Sequence, residues 1–92
     1  MTNLSTMTPH RQPDYQMEQI DDELLLFHPS QTTILYCNQT AFLVWQLCDG
    51  ARNTQEIIDL LGTAYPEAQD SISADILTTL EQFEQHGAIE LR

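Results

Sequence analysis

Lysine is absent from this 92-residue chain, and Arg11, Arg52 and Arg92 are its whole complement of strong bases. Fourteen Asp and Glu stand against them, for a formal net charge of −11. Nucleic-acid binding draws most of its affinity from Lys and Arg contacts to phosphate, and anionic membrane surfaces attract the same residues. The composition therefore speaks against both partners and is otherwise a solubility device. Long apolar runs are missing too. No stretch approaches the ~20 residues that cross a bilayer, and the polar segment Met1 to Pro13 has no signal-like apolar core. A cytoplasmic protein is expected. Cysteine is scarce: Cys37 and Cys48 lie in neither a C-x-x-C nor a zinc-type spacing, and read as small buried hydrophobes. His10, His28 and His86 are scattered, with no H-x-x-x-H pair. Also absent are a Gly-rich phosphate loop, a G-x-S-x-G elbow and the C-x-x-x-C-x-x-C cluster of a radical SAM centre. A chain this short buries only roughly 60–65% of its unfolded surface, which leaves room for one core and little for a deep cleft. No catalytic residue, metal site or cofactor is expected.

Residues 1–13, rich in Thr, Asn and Pro without periodicity, predict a flexible arm, and residues 14–92 a single domain. Short strand-like runs begin at Tyr15. Tyr15 to Ile20 is followed by an Asp21-Asp22 turn, then by Leu24-Leu25-Leu26-Phe27. His28-Pro29-Ser30-Gln31 breaks the pattern. A third strand, Thr33-Ile34-Leu35-Tyr36-Cys37, is rich in β-branched and aromatic residues. Such short connections suit an antiparallel meander. Three helices follow. Asn38 caps the first, which runs from Ala41 to Cys48, is apolar nearly all round and so is buried, with Trp45 in the core. Asp49-Gly50 closes it. Asn53-x-x-Glu56 opens the second as a capping box; Ile57, Leu61 and Tyr65 form its inward stripe, and Pro66 stops it. The third starts near Asp70 or Ser71, buries Ile72, Ile76, Leu80 and Phe83, and ends at Gly87. His86 falls in its last turn, where a cationic ring would suit the helix dipole. Ile89 and Leu91 form an apolar tail.

In this order the residues resemble the PqqD family, named after a pyrroloquinoline quinone biosynthesis protein, which supplies the recognition elements of ribosomally made, modified peptides. Asn38, Ala41, Trp45, Asp49-Gly50, Thr54-x-Glu56-Ile57, Tyr65, Asp75-Ile76, Leu80 and Gly87 carry the likeness. It spans roughly Leu24 to Leu91. The resemblance implies an α+β, winged-helix-like fold, with a three-stranded antiparallel sheet followed by three helices. It implies a domain without chemistry of its own, which binds the leader of a precursor peptide as a fourth strand beside the third. That leader is presented to a modifying enzyme, commonly a radical SAM maturase, or in lasso-peptide systems a leader peptidase. The Asp49-Gly50 and Thr54-x-Glu56-Ile57 signature leans toward the radical SAM partner by analogy. Cys37 stands where the family usually has Leu, Leu35 where an aromatic is frequent, and the turn Pro29 to Thr32 lacks a common Gly.

Peptide docking needs an open strand edge and an apolar groove. Thr33, Ile34, Leu35, Tyr36 and Cys37 form the last strand before the helices, and are the expected docking strand. On the third helix Leu77 lies about 100° round from Ile76. With Ser73 and, in part, Leu80 and Glu84 it is the expected groove wall beside the core. Asp75 sits near the helix start, where a carboxylate is favoured in any case. Two rival functions fare worse. A winged-helix DNA regulator needs cations on its recognition helix, whereas residues 71–92 hold four carboxylates against Arg92, a balance of −3. A subunit lending ligands to a shared enzyme site would have only Cys37 and Cys48 to offer.

Overall fold

The computed structural model describes residues 6–31 and 34–92. Its elements run Pro9–Arg11 (β1), Gln16–Ile20 (β2), Glu23–Phe27 (β3), Ile34–Cys37 (β4), Gln39–Leu47 (α1), Thr54–Ala64 (α2), Gln69–Gln85 (α3) and Ile89–Leu91 (β5), with a 3-10 turn at Pro66–Ala68. Strands β2, β3 and β4 form an antiparallel meander, and three helices follow it. A second sheet joins β1 to β5, antiparallel.

Local chemistry accounts for most boundaries. Ile20 pairs with Glu23, so Asp21 and Asp22 alone make the β2–β3 turn. Asp21 has φ 55°, a left-handed conformation that Asp tolerates better than most residues. The Asn38 carboxamide accepts the Ala41 N–H at 2.8 Å and caps α1. At α2 the capping box is complete: the Glu56 N–H donates to Asn53 Oδ1 at 2.8 Å, and the Asn53 N–H donates to Glu56 Oε1 at 2.9 Å. Helix α3 closes at Gly87 (φ 76°), with the Ala88 N–H reaching the Phe83 carbonyl at 2.8 Å and the Gly87 N–H that of Glu84 at 2.9 Å. Those two bonds are the Schellman pattern, which satisfies the last carbonyls of a helix.

The core lies between the helices and one face of the meander. Ile72, Ile76, Leu80 and Phe83 are buried as the α3 spacing predicts, against Val44 and Trp45 of α1 and Ile57 and Leu61 of α2. The Trp45 and Phe83 rings meet edge to face, 5.5 Å between centroids, a favoured aromatic geometry. From the sheet, Leu24 and Leu26 of β3 are buried, and Met17, Leu35 and Cys37 pack beside them.

Tyr65 departs from the expected inward stripe. Pro66 disfavours the helical conformation at the residue before it, so Tyr65 leaves the helix at φ −129°, ψ 69°, and its side chain is exposed. Helix α3 also begins slightly earlier than predicted, at Gln69.

The expected arm over 1–13 is tied down along its last residues, and the apolar tail is its partner. Arg11 pairs with Ile89, and the N–H of Gln12 bonds the Ala88 carbonyl at 2.9 Å. The carbonyl of Met7 accepts the backbone N–H of Thr54 at 2.9 Å and its hydroxyl at 3.0 Å. Arg11 Nη1 lies 3.3 Å from the carbonyls of both Trp45 and Gln46, and so caps the C-terminal end of α1 with a cation. Pro9 is fully buried, at the first position of its strand, where a missing N–H costs little. Gly50 (φ 80°) passes so close to this segment that a Cβ there would lie 2.7 Å from the His10 ring.

Cys48 is fully buried, with its thiol donating to the Val44 carbonyl at 3.1 Å, while Cys37 is half-buried; neither is in a disulfide. Burial pushes Cys37 up to about 11 and Cys48 to about 12, from an ordinary thiol value of 9.0. Both thiols thus keep their protons in the folded chain while the unfolded chain ionises. Their contribution to stability is complete below pH 9 and is lost as pH rises through about 11 to 12. Urea midpoints should fall between pH 8 and pH 10.5, and fall less in a Cys48→Ala variant. An equal decline in that variant would show that other groups set the alkaline limit.

Candidate functional site

Strand β4 is the last in the meander, hydrogen-bonded to β3 on one side and to no other strand among the described residues. The opposite edge, β2, has the sequence Gln-Met-Glu-Gln-Ile. Its polar and charged side chains are of the kind that discourage a further strand from pairing. Ile-Leu-Tyr-Cys of β4 carries no charge at all. Of the two edges, β4 alone lacks charged side chains.

Its side chains divide by face. Leu35 and Cys37 are half-buried and pack toward the core, whereas Ile34 and Tyr36 point away from it, 45% and 68% exposed. The register puts Phe27 opposite Ile34 and Leu25 opposite Tyr36. The outer face of the sheet at this edge is therefore apolar as well. Its signal in the sequence is the unbroken run Leu24-Leu25-Leu26-Phe27, where a strand with one wet face would alternate. Thr33, the first residue of the expected docking strand, lies outside the described residues.

The expected wall on α3 is brought together only in part. Ser73 and Leu77 are half-buried and Glu84 is exposed, but Leu80 is fully buried in the core and offers no surface. The reason is angular: Leu80 sits about 60° from Leu77, back toward the Ile76–Phe83 stripe. Helix α3 packs chiefly on α2, α1 and β5, and β4 on β3, with α1 following β4 directly in the chain. Asp70, within about 20° of Leu77 around the helix, lines a cleft against Ile58, Asp59, Gly62 and Thr63 of α2. At its N-terminal end this sector of α3 opens toward α2.

His28 Nδ1 lies 2.7 Å from Ser30 Oγ, and its Nε2 lies 3.8 Å from an exposed Asp14 carboxylate. The backbone N–H of Ser30 also donates to Nδ1 at 3.1 Å. That lone pair is thus already engaged, and the grouping pins the Pro29-Ser30 turn. Among the described residues no three His, Cys, Asp or Glu side chains converge as a metal site, and no helix is long and apolar enough to cross a membrane.

Residues 23–89 match the family profile of coenzyme PQQ synthesis protein D (PqqD), well over half of the chain. The chain belongs to the PqqD family. The matched span runs from the start of β3 to the first residue of β5, so it contains β4 and all three helices of the PqqD domain. A solved structure of TbiB1 in complex with the TbiA(beta) leader peptide shares the fold of this PqqD-family chain. Its TM-score is 0.69 at 20% sequence identity, over 88% of this chain and 94% of that one. Comparison with curated proteins gives no match.

Proposed function

We propose that this PqqD-family domain is a non-catalytic adaptor. It takes the leader of a ribosomally made precursor peptide as an added strand along Ile34–Cys37 and presents it to a separate modifying enzyme. The edge of β4, uncharged and unpaired among the described residues, carries this reading. Backbone N–H and C=O groups along such an edge supply affinity whatever the peptide sequence, and neighbouring side chains supply selectivity. Ser73, Leu77 and Glu84 of α3 form the proposed opposite wall, with α1 as the floor between. The fold shared with a leader-bound protein supports the same reading. A radical SAM maturase is the partner enzyme favoured here, and a leader peptidase the second choice. The work of the domain is binding, with the chemistry left to that partner.

Hydrogen exchange tests the proposal. Addition of a leader peptide from a candidate precursor should slow exchange at the amides of Ile34 to Cys37, and leave the polar β2 edge unchanged. Protection of β2 in place of β4, or of neither, would sink it.

A further inference from the structure

A strand laid along β4 extends each cross-strand row of the sheet by one residue, and the composition of those rows has a consequence for the peptide. Two rows face the core: Met17–Leu26–Leu35 and Gln19–Leu24–Cys37. Two face outward: Gln16–Phe27–Ile34 and Glu18–Leu25–Tyr36. The outward rows change character across the sheet. They are polar at β2, apolar and half-buried at Phe27 and Leu25, and apolar and most exposed at Ile34 and Tyr36, on the free edge. An edge that served only main-chain pairing would be better protected with polar residues there. Directly opposite residues of neighbouring strands hold their Cβ atoms roughly 4.5–5.5 Å apart, so an incoming side chain on the outer face would cover Ile34 or Tyr36.

Resting on the docking proposal above, we infer that the leader is read on both faces of the sheet. Its bound segment has four consecutive uncharged residues. Two, set beside Ile34 and Tyr36, are aromatic or β-branched; the alternate two, set beside Leu35 and Cys37, are aliphatic and face the groove. Such a segment lacks the apolar–polar alternation of a strand with one buried face. It also matches the unbroken apolar run of Leu24 to Phe27, the strand on the other side of β4.

A library of random 12-residue peptides displayed on phage, selected on the full chain, tests this without knowledge of the natural leader. Wild-type protein should enrich peptides with a four-residue uncharged segment, aromatic or β-branched at two alternate positions. An Ile34→Thr/Tyr36→Thr variant keeps strand-forming residues at two exposed sites, and should lose enrichment at those two positions only. A wild-type-selected peptide should bind that variant about three- to thirtyfold more weakly. Should the double variant melt early, Tyr36→Thr alone carries the comparison. If selected peptides protect residues 34–37 from exchange but show no preference at the outward positions, or bind the variant equally well, the two-face inference fails and the docking proposal stands. If no peptide protects that strand, both fall together.

Discussion

Trp45→Ala should cost about 3–5 kcal/mol of stability, the range for emptying a large aromatic from a core. Trp45 is 7% exposed and fills the centre of the helical layer, edge to face with Phe83, which is itself buried. Val44, Ile76 and Leu80 of the same core cluster are carried by helices, which limits collapse into the space. Domains of this size have only about 5–15 kcal/mol in hand, so a large fraction of the variant should be unfolded at 37 °C. Circular dichroism melts read the effect directly. Loss of leader binding in this variant would follow loss of fold, and the melt distinguishes that from damage to the site. A shift below 1 kcal/mol would mean that the core repacks around the vacancy.

Leu77→Glu separates the groove from the core. It places a charge where the proposed wall of α3 meets a leader side chain. Full burial of one Leu-sized contact is worth about 1.5–3 kcal/mol, so leader affinity should drop roughly tenfold to a hundredfold. Leu77 is half-buried and off the Ile76–Leu80–Phe83 stripe, so the melting temperature should change little. The cleft that Asp70 lines against α2 supplies the contrary outcome. If Leu77 also packs on α2, the variant will melt early while exchange protection of Ile34 to Cys37 persists. The α3 wall then lies on another sector of the helix, and β4 remains the docking edge.

How much of this was legible in the sequence depended on the range of the interactions. The meander, the caps at Asn38 and Asn53 and the stop at Gly87 each rest on residues within a few positions of one another, and all could be read directly. Tyr65 fits the periodicity of α2, but Pro66 beside it overrides that periodicity. Pairing of Pro9–Arg11 with Ile89–Leu91 was hidden, because three-residue strands at opposite ends of a chain leave no periodic trace. Arg11 capping α1 across 34 positions to Trp45 left none either. At the candidate site, β-branched and aromatic content identified β4 as a strand and its place before the helices suggested an edge. Which side of α3 faces it depends on helix packing that no spacing encodes; Leu80, read by spacing as core and in part as wall, is wholly core in the fold.

An open apolar edge is also an invitation to a second copy of the same chain, since two β4 strands could pair as readily as β4 and a leader. Each copy carries a formal net charge of −11, and like charges repel at contact distances even through physiological salt, where the Debye length is about 8 Å. Under the docking proposal the carboxylates would act as a colloidal guard, discouraging self-pairing without covering the edge. That guard is a matter of proton concentration. With a sequence pI near 4.1, acidification to about pH 4 removes that net charge while the strand stays uncharged, and self-association is then expected to rise, which light scattering checks.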